Sequence, residues 1–64
     1  VKEPIVGEKV VAAVETRWLR LYATYVIVAV DSLGLLEVVP SPDDGSSVPF
    51  WEDARHFKRL KLFA

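Results

Sequence analysis

Sixty-four residues hold one domain with one core, because a chain this short buries only about 60% of the surface it exposes when unfolded, and that excludes a large enclosed active-site cavity. The residues are 52% hydrophobic and 27% charged, a globular rather than a disordered balance, and the lack of any Cys excludes disulfides and thiolate metal sites. The formal net charge of −1 gives the surface as a whole no pull on phosphate, so nucleic-acid contact would need a local basic patch.

In chain order, Val1 to Val6 reads as a lead-in, with Pro4 unsuited to a central strand. Val10 to Val14 follows Gly7 as a short β-branched run and predicts the first strand. Glu15-Thr16-Arg17 is a polar interruption without Gly, Asn or Pro, which predicts an open connection rather than a tight hairpin. From Trp18 to Val30 two alternating faces can be drawn, Leu19, Leu21, Ala23, Tyr25, Ile27 and Ala29 against the rest. That predicts a second strand, too long to stay straight and so bent near Ala23-Thr24.

Asp31-Ser32-Leu33-Gly34 predicts a turn and Leu35 to Val39 a third strand. Pro40 to Gly45 is a stop with a second turn at Asp44-Gly45, and Ser46 to Phe50 predicts a short fourth strand, with Pro49 suited to an edge. The tail predicts a helical turn around Glu52 to His56 and a last strand from Lys58 to Phe63, against the rival of one helix over Trp51 to Leu62. The expectation is an all-β domain of five strands with a short helical turn before the last.

Arg20 and Thr24 interrupt the longest apolar-rich stretch, which falls short of the roughly 18–20 continuous apolar residues of a membrane span. No signal-peptide core follows Val1-Lys2-Glu3-Pro4. A start other than Met predicts a module excised from a longer protein, with a processed product as the alternative.

The inventory for catalysis is thin, so no enzymatic function, cofactor or metal is expected. His56, the only His, lies in the basic run Arg55-His56-Phe57-Lys58-Arg59 and reads as a surface residue. Asp43-Asp44 reads as turn chemistry beside Gly45, and Glu52-Asp53 as negative charge at a helix N-terminus. The aromatics are many for so short a chain. Trp18 and Tyr22 would share a strand face, with Phe50 and Trp51 near the end of the fourth strand. Closure could bring them to one rim, where aromatic faces beside Asp43 or Asp44 would hold a methylated ammonium by cation–π attraction. Arg55, Lys58, Arg59 and Lys61 form the dense basic segment, interleaved with Phe57, and could neutralise a few phosphates.

Val6-Gly7-Glu8-Lys9-Val10-Val11-Ala12, the Trp18 to Ala23 segment and Asp43-Asp44-Gly45 together resemble Tudor domains of chromatin-associated proteins. The resemblance implies an SH3-like barrel, a nuclear setting, and recognition of methylated lysine or arginine in a protein tail. It implies a site at Trp18, Tyr22 and Asp43 or Asp44. Pro42 and Ser46 stand where the family often has aromatics, leaving Phe50 or Trp51 to supply further walls. Thr16-Arg17-Trp18, the Val-rich strand after it and His56-Phe57-Lys58-Arg59-Leu60-Lys61 are similar to the C-terminal domain of retroviral and retrotransposon integrases. That second resemblance implies the same barrel, DNA binding and multimer contacts. Neither fixes the oligomeric state.

Overall fold

A computed structural model describes residues 3–42, 45 and 47–60. Its strands are β1 (Lys9–Ala12), β2 (Thr24–Val30), β3 (Leu35–Pro40), β4 (Phe50–Asp53) and β5 (Phe57–Arg59), with a 3-10 turn at Ala54–His56 between the last two. All pairs are antiparallel and the sheet order is β4-β3-β2-β1-β5.

That order dictates the shape. β4 and β5 are the two edges of the sheet, and in a flat sheet they would lie about 19 Å apart, four spacings of roughly 4.8 Å. Yet the three residues Ala54–His56 join them, a length that advances only about 6 Å as a 3-10 turn. The sheet therefore curls until its edges meet, giving the five-stranded, SH3-like barrel over one core. Val10, Ala12, Tyr25, Ile27, Leu36, Val38 and Phe57 fill it from the strands, Ala54 from the turn and Leu19 from a loop, with Ala23 and Phe50 packed at its margin.

The β3 prediction, the Asp31–Gly34 turn and the helical turn before the last strand agree with this fold. Other boundaries move. The first strand runs Lys9–Ala12, not Val10 to Val14, and the last begins at Phe57. The rival C-terminal helix is absent over the described residues, where 51–59 is strand, 3-10 turn and strand. β4 is Phe50–Asp53 rather than Ser46 to Phe50.

The largest correction concerns the second strand. Residues 18–23 are loop, Tyr22 has φ 67°, and β2 starts only at Thr24. Within β2 the expected alternation holds through Val28, then a bulge between Ile27 and Ala29 breaks the register, so that Ala29 stands opposite Glu37 and not on the face of Tyr25 and Ile27. The irregularity therefore falls after Ile27 and not at Ala23-Thr24.

Candidate functional site

The loop between β1 and β2 is closed at its feet by sheet-like bonds. Ala12 N–H donates to Ala23 O at 3.0 Å and Tyr22 N–H to Ala12 O at 2.9 Å. Leu19, only 2% exposed, plugs the middle of the loop into the core. With Leu19 turned inward, its neighbour Trp18 is turned out and 60% exposed.

Trp18 leans on Phe50, ring centroids 6.3 Å apart and planes at 33°, and Phe50 meets the edge of Tyr25 at 6.0 Å. Tyr25 in turn contacts Phe57 at 6.1 Å, so a file of aromatics leads from the core to the surface at Trp18. Such tilted and edge-on pairs each add about 0.5–1.5 kcal/mol beyond their buried area. The Tyr25 hydroxyl accepts the Arg20 N–H at 2.8 Å, which satisfies the polar end of a buried ring and fixes the loop above it.

Beside Trp18 lies a concavity of ≈ 330 Å³ lined by Trp18, Arg20, Ala23, Thr24, Tyr25, Pro40 and Ser41. Its size is at the low end of ligand clefts. The Arg17 guanidinium sits over the Trp18 ring, 5.2 Å from its centroid. Among the described lining residues the site carries a cation and no carboxylate.

The predicted ligand residues are only partly brought together. Trp18 and Phe50 meet. Tyr22, 77% exposed, does not line the concavity. Trp51 stands opposite Glu37 while Phe50 stands opposite the core residue Val38, so Trp51 and Phe50 project from opposite faces of β4. The expectation that Trp18, Tyr22 and Trp51 converge on one rim is therefore corrected. Asp43 and Asp44 lie outside the described residues.

The predicted basic segment is largely tied up. Arg55 Nη2 is 2.9 Å from Asp53 Oδ2, and hydrogen bonds from the Arg55 side chain and backbone hold the Asp53 carboxyl well below the usual carboxylate range. Arg59 Nε lies 2.9 Å from Glu8 Oε2, and its Nη2 donates to Glu3 O at 2.7 Å. Lys58 is exposed on β5, and Lys61 lies outside the described residues.

Sequence reasoning missed Tyr25 as a wall, Arg17 and Arg20 as the site's cations, and Glu52. Arg17-Trp18-Leu19-Arg20 shows the two cations around the Trp, a legible signal once the segment is read as loop. Glu52 is a different case. Its carboxylate, 10% exposed, lies 2.9 Å from His56 Nδ1 four residues on and accepts the Thr16 hydroxyl at 3.1 Å, a contact 36 residues away that no local pattern announces. No group of three or more His, Asp or Glu side chains is placed to hold a metal among the described residues. No protein-family model, curated protein or solved structure matches this chain significantly.

Proposed function

We propose that this chain is a non-enzymatic binding module and that it binds single-stranded nucleic acid at Trp18, a base displacing the Arg17 guanidinium from the indole so that Arg17 and Arg20 meet the phosphates. The observation that carries this reading is the exposed Trp18 with Arg17 over its ring and Arg20 on the wall of the adjoining concavity. A stacking platform beside cations is what a single strand requires. The net charge of −1 does not oppose it, since charges beyond a Debye length of about 8 Å are largely screened at physiological salt. The DNA-binding surface moves in this reading from Arg55, Lys58, Arg59 and Lys61 to the loop, because Asp53 and Glu8 already neutralise Arg55 and Arg59.

Recognition of methylated lysine or arginine in a protein tail is the second reading. Ser41 lines the concavity and the chain runs from Pro42 directly into Asp43-Asp44, whose carboxylates would complement an ammonium group. Against it stands Arg17. Cation–π attraction contributes about 0.5–2 kcal/mol. Two like charges 4 Å apart repel by about 1 kcal/mol in water and about 4 kcal/mol near a protein surface. The resident guanidinium thus cancels much of what Trp18 would offer a second cation.

Titration of the 64-residue chain with a fluorescent oligothymidylate, in parallel with trimethyl-lysine and dimethyl-arginine peptides, separates the readings. The oligonucleotide is expected to bind with log K falling against log salt at a slope of about −1.4 for two phosphates. Trp18→Ala should cost about 1–3 kcal/mol of binding, and Arg55→Ala almost nothing. Absent or salt-independent oligonucleotide binding sinks the proposal, and peptide binding in its place installs the second reading.

A further inference from the structure

We infer that Glu52 is the positioning residue of the Trp18 platform: from β4 its carboxylate holds the Thr16 hydroxyl, and Thr16 in turn sets the backbone turn on which Trp18 stands. The inference rests on Trp18 being the binding surface only for its functional consequence.

The geometry is a relay with each hydrogen accounted for. The Thr16 O–H donates to Glu52 Oε2 at 3.1 Å, which leaves the hydroxyl oxygen free to accept. It accepts from the N–H of Trp18 at 3.2 Å and of Leu19 at 3.0 Å, while Thr16 N–H donates to Leu19 O at 3.1 Å. One hydroxyl therefore organises the turn 16–19 in the manner of a helix cap without a helix. Glu52 Oε1 lies 2.9 Å from His56 Nδ1, and with a hydrogen on that ring nitrogen the carboxylate has both oxygens engaged.

Glu52 faces the barrel interior opposite Leu36, a position where a bare carboxylate would be costly. Thr16 and His56 satisfy it there, at a chain separation of 36 residues from Thr16. The loop's feet are held by β1 and β2 pairing whether or not this contact forms. What the contact adds is the turn at 16–19. That turn sends Leu19 into the core and Trp18 out beside Phe50. Glu52 is thus placed to govern how Trp18 is presented while touching no ligand itself.

Amide hydrogen exchange of the ligand-free 64-residue chain tests this. Thr16→Val keeps the shape and removes the hydroxyl, Thr16→Ser restores it, and Glu52→Ala removes the anchor. The expected result is about tenfold faster exchange at the Trp18 and Leu19 amides in Thr16→Val and Glu52→Ala, with the amides of Tyr25 and Ile27 unchanged and Thr16→Ser close to the parent. Trp18 and Leu19 amides that exchange at the parental rate in Thr16→Val or in Glu52→Ala overturn the inference, as does an equal acceleration at Tyr25 and Ile27, which would mark a general loss of stability. Should Glu52→Ala fail to fold, Glu52→Val, which suits a strand but offers no acceptor to the Thr16 hydroxyl, takes its place in the same measurement. Oligothymidylate affinity is read separately. If the parent chain does not bind it, the nucleic-acid reading falls while the exchange data still decide the role of Glu52.

Discussion

The reversal at Asp31–Gly34 and the loop of residues 13–23 are both connections between neighbouring antiparallel strands, yet they are held by different means. In the first, Asp31 Oδ1 accepts the N–H groups of Leu33 at 2.8 Å and Leu35 at 2.9 Å, Asp31 N–H donates to Leu35 O at 3.0 Å, and Gly34 supplies φ 89°. Every partner in that set lies within four residues. In the second, the anchors are Leu19 in the core, the Tyr25 hydroxyl on Arg20 N–H and Glu52 on Thr16. A turn closed chiefly by its own residues, with one bond from outside in the Ala54 N–H to Gly34 O at 2.9 Å, leaves its tip to solvent. A loop closed by the rest of the fold can expose one chosen side chain in a fixed place, as it does with Trp18.

The contrast is broken most severely at the two leucines. Leu19→Ala is expected to cost about 2–5 kcal/mol, because it empties a filled site in the core. A domain of this length holds only roughly 3–10 kcal/mol in total, so the variant should approach unfolding. Leu33, at the tip of the other turn, is 84% exposed, and Leu33→Ala should change stability by less than about 0.5 kcal/mol. Urea denaturation midpoints measure both. Equal effects would mean that Leu19 is not the anchor of its loop.

A smaller effect belongs to Gly34. Its φ of 89° lies where an L side chain is strained, yet a Cβ there would meet nothing within 4 Å. Gly34→Ala should therefore cost about 1 kcal/mol through the backbone alone. The same denaturation series checks it, and a Gly34→Ala variant as stable as the parent would show that the turn relaxes freely.

The two connections also mark what the sequence makes legible. Asp31, Gly34 and the run from Leu35 carry their geometry in their own chemistry, so the turn and β3 are predictable from those residues. Trp18 to Ala23 has the alternation of a strand, but Leu19 is buried from a loop and Tyr22 takes a positive φ. Periodicity reports which side chains are buried and not which element buries them. Trp51-Glu52-Asp53 misleads for a related reason. Two adjacent carboxylates read as the start of a helical turn, and Asp53 does cap the 3-10 turn, whereas Glu52 on the inner side of β4 is satisfied by Thr16 and His56. At the site, Trp18 and Phe50 are legible as aromatics. Their meeting, and the separation of Trp51 from them, follows from the β3–β4 register and the loop closure. Arg55 and Arg59 look like free cations along the chain because Glu8 and Glu3 are distant in sequence, and Asp53 pairs with Arg55 only once the 3-10 turn forms.

The smallest effect expected tests local closure at a third place, the 3-10 turn. Asp53 caps it, accepting the Arg55 backbone N–H at 2.8 Å and the Arg55 guanidinium at 2.9 Å, and those contacts lower the Asp53 carboxyl below its ordinary value. The folded chain therefore releases this proton more readily than the unfolded one. Across the acid range the unfolded state binds more protons here, and stability must rise with pH. The contribution is complete above the ordinary carboxylate value of about 3.9 and is lost as pH falls through the folded value. Arg55 is 88% exposed, so water screens the pair and the change is small. Asp53→Asn keeps an oxygen for the Arg55 N–H and removes the titration. Parent and variant, compared by urea midpoint from pH 7 downward, should keep a constant difference to about pH 4 and converge below it. A difference that stays constant into stronger acid would mean that the cap holds through its hydrogen bond alone. The charge pair with Arg55 would then contribute nothing to folding, and Arg55 would count as a free cation after all.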